Sequence, residues 1–330
     1  MITLKDIAEK ANVSVMTVSR VVNGNYSKVS KETAKKIQAI IEESGYVPNY
    51  SARSLSSRNS HIIAIITKKE DALSDPYNSK MLASIIPILQ QNGYYTMVAC
   101  LNDFKDVTQH LHAWKAEGAI FLGLFEEDVM KIKENNQIPL IFTDSYSTVQ
   151  QITNIGIDDY KGGVLAAKHL LECGHRSFAF VGIALEHSSV SQKRLKGFID
   201  TINAADISIS EEHILYDQDP AVLAKKIVQF KTPVTAIFTT ADILALNIMD
   251  QLIINAYKVP DDYSFIGFDN LPISYYVTPK LTTIAQDIEQ KAQLICETLL
   301  RHIDDPHLPC EKITLDVELV KRNSVKNINR

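Results

Sequence analysis

The sequence predicts an α/β protein in which a small all-α helix-turn-helix headpiece precedes a two-lobed core of doubly wound parallel sheets. Three observations predict this class. Apolar residues recur at helical spacing over the first 45 residues. From residue 62 onward, short apolar runs alternate with helical stretches, as in parallel sheets covered by helices. The alternation occurs in two successive series, which predicts two lobes with a ligand cleft at the carboxyl ends of their strands.

The headpiece begins with two short helices joined by a three-residue turn. Thr3 and Asp6 have the spacing of a capping box. Asn12 tolerates the left-handed backbone that ends the first helix, and Ser14 caps the second. The residues expected to face inward are apolar: Leu4, Ile7, Ala8, Ala11, Val18, Val21 and Val22.

A third helix and a polar segment follow. Ser30 caps this helix and Gly45 ends it. Residues 48–58 are rich in serine, and Leu55 is their only large aliphatic residue. Taken alone, this composition favours a flexible linker, although one or two helical turns could form if something held them.

The second helix leaves a mixed polar and apolar face exposed near its N-terminus, the place where a recognition helix meets base edges and phosphates. From Thr3 to Asn23 the segment resembles the DNA-binding headpiece of the lactose-repressor (LacI/GalR) family, with Asn12 where many members have glycine. The linker resembles that family's hinge helix, whose leucine, matched by Leu55, wedges into the minor groove. The resemblance implies these DNA-binding residues: Ser14, Val15, Met16, Thr17, Ser19, Arg20, Asn23, Asn49, Ala52 and Leu55.

Each residue type on this face has a distinct expected role. Arg20 should contact a guanine through its two-pronged guanidinium. Val15 and Met16 should add specificity by apolar contact, while the hydroxyl side chains position the helix on phosphates.

Charge is distributed unevenly along the chain. Residues 1–60 carry nine Lys/Arg and five Asp/Glu, a net charge of +4; since the whole chain carries −5, the remainder carries −9. A small basic head on an acidic body restricts contact with phosphate to the head.

Cysteine usage and the N-terminal composition indicate the compartment. The four cysteines are scattered without a C-x-x-C pair, which favours reduced thiols. The N-terminus has no apolar signal core, and no run approaches the length of a membrane span. We therefore expect a cytoplasmic protein without a membrane partner.

The core is expected to contain buried parallel strands at 62–66, 95–99, 119–122 and 140–142, and then at 178–181, 236–238 and 264–267. Helices are expected near 79–92, with a kink at Pro87, and near 103–115, 126–135, 161–172, 190–204, 221–230 and 241–257. The predicted domains are a head at 1–47, a hinge at 48–59 and a core at 60–330. Lobe 1 covers about 60–158 plus 286–318, and lobe 2 about 159–285 plus 319–330.

Four segments of the core extend the family resemblance over essentially the whole chain. They are Gly174-His175-Arg176…Phe180-Val181-Gly182, Arg194-Leu195-Lys196-Gly197-Phe198, Val259-Pro260-Asp261-Asp262…Ile266-Gly267-Phe268-Asp269, and Leu281-Thr282-Thr283-Ile284…Gln286. The core also resembles periplasmic binding proteins.

By position, the resemblance implies that a small effector is bound by Asp75, Tyr77, Asp144, Arg194, Asp242 and Asp269. Carboxylates and a forked guanidinium suit neighbouring hydroxyl groups. Arg194 could instead form a surface ion pair, and the three carboxylates Asp144, Asp242 and Asp269 could cap loops or helices. Many sugar-responsive members have Asn-Asp where this chain has Ala241-Asp242, so the sugar cannot be inferred by analogy.

No catalytic motif is present in the sequence: G-x-S-x-G, a P-loop, H-E-x-x-H and G-x-G-x-x-G are all missing. His110 and His112 are two residues apart in a predicted helix and point to different faces, so they make a poor metal pair. We expect no enzymatic activity, no cofactor and no metal site.

The sequence therefore predicts a dimeric, effector-controlled transcriptional repressor of a sugar-utilisation operon, bound to pseudo-palindromic operator DNA. The dimer is expected because the extra C-terminal leucine-rich helix of tetrameric members is not found. Effector binding between the lobes should change whether the hinge segments fold on DNA. Two alternatives stay open: a regulator answering to a protein corepressor or non-sugar metabolite, and a sugar-binding protein without DNA function.

Overall fold

The computed structural model describes residues 2–22, 24–46, 60–67, 75–101, 103–123, 129–146, 151–183 and 189–329. The chain divides into two compact units, Met1–Ser60 and His61–Arg330. Each unit has its own hydrophobic core. The predicted residues Asn23, Asn49, Ala52 and Leu55 lie outside the described residues.

The first unit contains the helices α1 (Leu4–Ala11), α2 (Val15–Val22) and α3 (Lys31–Ser44). The predicted capping box of Thr3 and Asp6 is confirmed, and Asn12 ends α1 in the left-handed conformation at φ 54°. Ser30 caps α3 and Gly45 ends it. The core of this unit joins apolar faces of all three helices: Ile7, Ala8, Ala11, Val18, Val21, Ala34 and Ile37.

Lobe 1 of the second unit is built on a parallel sheet with the order β11-β5-β4-β3-β1-β2. Alternate residues of its central strands point to opposite faces, and each face is buried under helices. The strands are β1 (Ile62–Thr67), β2 (Tyr95–Cys100), β3 (Gly118–Leu122), β4 (Leu140–Thr143), β5 (Thr153–Ile157) and β11 (Lys312–Leu315). The helices are α4 (Pro76–Gln91), α5 (Phe104–Trp114), α6 (Val129–Glu134) and α12 (Ile288–Asp304).

Lobe 2 is built on a second sheet with the order β12-β10-β9-β8-β6-β7, in which only the β10–β12 pairing is antiparallel. Its strands are β6 (Phe178–Gly182), β7 (Ile214–Tyr216), β8 (Ala236–Thr239), β9 (Ser264–Asp269), β10 (Thr282–Gln286) and β12 (Val317–Val320). Its helices are α7 (Asp159–Glu172), α8 (Ser189–Asn203), α9 (Pro220–Val228), α10 (Asp242–Ile254) and α11 (Ile273–Tyr276).

Between the described strands and helices, the chain passes from one lobe to the other at three places: from β5 to α7, from β10 to α12, and from β11 to β12. The last helix, α12, packs on the lobe 1 sheet and against α4, with Ile295 and Leu299 in the same cluster as Ile85 and Leu89.

Two glycines allow α7 and α8 to lie in close contact. A Cβ added to Gly163 would be 2.0 Å from the backbone oxygen of Arg194, and one added to Gly197 would be 2.0 Å from that of Tyr160. Real Cβ contacts are much longer, so these positions admit only glycine at this helix separation. The glycines therefore set where α8 presents its side chains.

The predicted fold class is confirmed, and the predicted strands and helices of the core coincide with observed ones within a few residues. Pro87 lies inside α4, which continues to Gln91. The prediction missed β5, β7, β10, β11, β12, α11 and α12. Among the described residues, no helix combines the length and apolar character that crossing a membrane requires.

Candidate functional site

The N-terminal face of α2 is held by a hydroxyl pair. The backbone N–H of Thr17 donates to Ser14 Oγ at 3.2 Å, and the two hydroxyls lie 2.9 Å apart. This caps α2 as predicted. Val15 and Met16 are exposed, and Nη2 of Arg20 lies 3.5 Å from the Met16 sulfur. The face thus combines an apolar pair, a guanidinium and a helix N-terminus, which suits phosphates and base edges.

In the core, polar side chains that follow strand ends in the two lobes lie within electrostatic reach of one another, and the region between them is called the cleft. Lobe 1 supplies a hydrogen-bonded group of three: Tyr77 from α4, Asp144 after β4, and Lys291 from α12. The Lys291 ammonium lies 2.6 Å from both carboxylate oxygens of Asp144 and donates to the Tyr77 hydroxyl at 2.9 Å. The Tyr77 hydroxyl in turn lies 3.4 Å from Asp144 Oδ2.

The carboxylate of Asp75, just before α4, is hydrogen-bonded to the backbone of that helix. It caps α4 by accepting from the backbone N–H groups of Tyr77 and Asn78 at 2.7 and 3.3 Å. This contact fixes the first turn of α4 and hence the position of Tyr77. Burial raises the pKa of Tyr77 well above its usual value, with a further contribution from Asp144, so the hydroxyl stays protonated.

Lobe 2 supplies a buried guanidinium. Arg194 on α8 donates from Nε to Asp159 Oδ1 at 2.7 Å and from Nη1 to the backbone oxygen of Thr240. Its Cζ lies 3.4 Å from the ring centre of Phe268, a stacked cation–π geometry. Burial alone would lower the pKa of Arg194, but the carboxylates of Asp159 and Asp269 together raise it. The guanidinium is therefore held as a rigid cation in the cleft.

A tyrosine connects the two lobes across this cleft. Tyr146, which follows β4 in lobe 1, donates its hydroxyl to Asp159 Oδ2 at 2.6 Å. One carboxylate oxygen of Asp159 therefore accepts a hydrogen bond from Tyr146 of lobe 1, and the other accepts one from Arg194 of lobe 2. Its side chain is fully buried, which raises its pKa although Arg194 opposes the shift. Both oxygens are occupied, so Asp159 orients Arg194 and Tyr146.

Asp269 ends β9 with a positive φ of 110°. The amide of Gln286, at the end of the adjacent β10, donates to Asp269 Oδ1 at 2.7 Å. Burial raises the pKa of Asp269 well above its usual range, although Arg194 opposes the shift. Among the described residues, none donates a hydrogen bond to its second oxygen, so this oxygen is a candidate ligand contact.

Asp242 occupies a different environment from the other predicted carboxylates. It begins α10 without capping it, and its side chain is fully buried. One carboxylate oxygen accepts from the Thr283 hydroxyl, and the other accepts from the backbone N–H of Leu271 at 2.8 Å. Burial raises the pKa of Asp242 to about 7. In this structure Asp242 joins α10 to the segments after β9 and in β10, and both of its carboxylate oxygens accept hydrogen bonds there.

The structure thus brings Tyr77, Asp144, Arg194 and Asp269 to one cleft and leaves Asp75 at its edge as a helix cap. Sequence reasoning missed four cleft residues: Tyr146, Asp159, Gln286 and Lys291. Gln286 belonged to a recognised segment without being assigned a role. Asp159 resembles an ordinary acidic residue of a first helical turn, and Lys291 resembles an ordinary charge on an amphipathic helix, so neither had a distinguishing pattern.

Comparison with known proteins agrees with this architecture. Residues 3–49 match the model for bacterial regulatory proteins of the lacI family, and residues 167–325 match that for a periplasmic binding protein-like domain. The chain is 30% identical to the probable HTH-type transcriptional repressor ExuR of Bacillus subtilis (strain 168), covering 99% of each chain.

Two solved structures are also similar. The Lac repressor dimer bound to operator and the anti-inducer ONPF aligns with a TM-score of 0.87 and 28% identity, covering 98% of this chain and 99% of that one. A LacI family regulator from Enterococcus faecalis V583 with bound ribose aligns with a TM-score of 0.70 and 26% identity, covering 81% of this chain and 99% of that one. The chain therefore belongs to the lacI family of bacterial DNA-binding transcriptional regulators.

Proposed function

We propose that this protein represses a sugar-utilisation operon and that a small polyhydroxylated effector, bound between the core lobes, controls its affinity for operator DNA. It acts by binding alone, without catalysis, in the cytoplasm where its operator lies. The observation that carries the proposal is the cluster of charged and hydroxyl side chains that both lobes direct into one cleft.

The free hydrogen-bonding atoms of the cleft suit hydroxyl groups. Arg194 keeps Nη2 without an acceptor among the described residues, and Asp269 keeps one carboxylate oxygen without a donor among them. Asp144 is partly exposed and retains lone pairs beyond those used by Lys291. A ligand with neighbouring hydroxyls can donate to the two carboxylates and accept from the guanidinium. The similar regulator with bound ribose supports a ligand of this class.

The exposed face of α2 supplies the DNA contacts in this proposal. Arg20 donates two hydrogen bonds to a guanine, Val15 and Met16 contact base edges, and Ser14, Thr17 and Ser19 contact phosphates. Asn23 and the hinge residues Asn49, Ala52 and Leu55 add contacts, with Leu55 as the minor-groove wedge. The corresponding domains are a head at 1–47, a hinge at 48–59 and a core at 60–330.

A homodimer is the proposed assembly. Strand β2 is the edge of its sheet, and its residues Tyr95, Met97 and Val98 are exposed. An exposed apolar strand at the edge of a sheet favours association. The similar Lac repressor structure is a dimer bound to operator, which supports two heads on a pseudo-palindromic site.

The test is fluorescence anisotropy of a labelled duplex from upstream of this protein's own gene, titrated with the protein and then with sugars and sugar derivatives. A sugar that lowers the anisotropy at fixed protein concentration is the expected result. Tight operator binding that no sugar changes would contradict sugar control and favour a protein corepressor or another metabolite. Binding of a sugar without any operator binding would contradict the repressor role.

A further inference from the structure

Lys291 is a buried cation in the candidate cleft that the proposed function leaves without a role. It lies on the first turn of α12, just after the chain crosses from β10 into lobe 1. Its side chain is 0% exposed, whereas that of Asp144 is 16% exposed. The carboxylate therefore faces the cleft, and the ammonium lies behind it.

All three N–H donors of the Lys291 ammonium have an acceptor within the protein. Two of the donors point to the carboxylate oxygens of Asp144, each at 2.6 Å, and the third points to the Tyr77 hydroxyl at 2.9 Å. An ammonium has three donors, so none remains for a ligand. Lys291 consequently acts on a ligand only through the groups that it holds.

This pairing determines the charge of the lobe 1 wall. The ammonium neutralises Asp144 locally and fixes both of its oxygens, so the wall offers oriented acceptors without net charge. The other buried cation of the cleft, Arg194, is likewise paired with a carboxylate, that of Asp159, at 2.7 Å. Among the described residues buried in the cleft, every cation is therefore paired with a carboxylate.

We propose that Lys291 is a positioning residue that determines effector charge: by pairing with Asp144, it makes the cleft select an uncharged polyhydroxylated effector over one carrying a carboxylate or a phosphate. An anionic group placed against this wall would meet carboxylate oxygens and no free ammonium of lobe 1, and it would lose its hydration without a compensating cation from that wall. Neutral hydroxyls would instead donate to the remaining lone pairs of Asp144. This inference rests on the proposed effector cleft.

The test compares the affinities of the full-length protein for matched sugars by isothermal titration calorimetry. The probes are ribose, glucose and galactose, the phosphates of ribose and glucose, the uronic acids of glucose and galactose, and glucosamine. Wild type should bind one of the neutral sugars at least roughly tenfold more tightly than its anionic derivative. Asp144→Asn leaves the ammonium unpaired and should reduce this preference by about tenfold or reverse it.

Lys291→Met leaves Asp144 without its cation. We expect affinity for the neutral sugar to fall roughly ten- to hundredfold, and affinity for the cationic glucosamine relative to glucose to rise. Lys196→Met makes the same substitution at an exposed lysine on α8 and should change neither quantity. Thermal unfolding of the full-length protein, followed by circular dichroism, checks that each variant is folded.

If a single variant does not fold, the double variant Lys291→Met/Asp144→Asn removes both charges together. It should bind the neutral sugar but lose the discrimination against anions. A charge preference that stays at the wild-type value in the variants, or a wild type that prefers an anionic sugar, would overturn the role of Lys291 alone. A wild type that binds the operator but none of these sugars would overturn the proposed effector cleft itself.

Discussion

Arg194 and Asp159 form a buried ion pair, with Nε 2.7 Å from Oδ1 and side chains that are 9% and 0% exposed. The pair joins two helices, α8 and α7, whose separation is fixed by glycines. Phe268 covers one face of the guanidinium. The orientation of the Arg194 guanidinium is therefore set before any ligand binds, which reduces the entropy cost of ordering this side chain on binding.

Asp159→Asn should destabilise the protein markedly, because it leaves the buried Arg194 without its carboxylate. We expect the free energy of unfolding to fall by about 3 kcal/mol, as for other buried pairs that lose one partner. The measurement is a urea titration followed by circular dichroism.

The matched control for this variant is Asp316→Asn. Its partner Lys161 is 41% exposed, and Asp316 itself is 74% exposed. Exposed pairs contribute less than about 1 kcal/mol, so the control should unfold close to wild type. Equal losses in the two variants would mean that burial adds nothing to the Arg194–Asp159 pair.

Gly163→Ala should impair effector binding although residue 163 contacts no ligand. The added Cβ would lie 2.0 Å from the backbone oxygen of Arg194, so α8 must move away from α7. The displacement costs on the order of 2 kcal/mol of stability and misplaces the guanidinium. Thermal unfolding and sugar titration measure the two effects, and Lys168→Ala, at an exposed position of α7, serves as the control. Normal sugar affinity in Gly163→Ala would show that the helix contact does not position Arg194.

The sequence predicted the parts of this protein in which local patterning and tertiary structure agree. The caps at Thr3 and Ser30 are satisfied within a single turn, and β1 and β3 are apolar runs buried on both faces. These features depend on neighbours that are close in sequence or on simple burial.

The missed elements depend on distant contacts. Strand β5 contains Asn154 and Gly156, which disfavour a strand in isolation, but it is paired on both sides by β4 and β11. In the cleft, Lys291 meets Asp144 across 147 residues of sequence. No local pattern specifies such a pair, and only the crossing from β10 to α12 brings the two side chains together.

Stability should depend on pH through Asp242. Burial raises its pKa from 3.8 to about 7, although Thr283, the Leu271 amide and Arg322 favour the ionised form. Between these pH values the folded protein holds a proton that the unfolded chain has released. The stabilisation that comes from this retained proton is therefore complete below about pH 4, and it is lost as the pH rises through about 7.

Asp242→Asn removes this titration while keeping a side chain of similar size. Relative to the variant, wild type should lose roughly 2 kcal/mol of stability between pH 5 and pH 8. Urea titrations of both proteins at the two pH values measure the difference, and titrating groups that do not interact with Asp242 cancel because both proteins share them. Parallel pH profiles would show that Asp242 does not change its protonation in this range.

Arg20→Ala tests how α2 contacts DNA. Arg20 extends from the last turn of α2, and Thr17, which contacts the Ser14 hydroxyl at 2.9 Å, lies at the first turn. If Arg20 forms two hydrogen bonds to a guanine, its loss should cost about 1–3 kcal/mol on the operator and relax the preference at that base pair alone. Thr17→Val should instead weaken binding to all duplexes about equally, because a phosphate contact carries no sequence information. Anisotropy titrations with the operator and with duplexes altered one base pair at a time separate the two effects. A uniform loss for Arg20→Ala across these duplexes would assign Arg20 to the backbone instead.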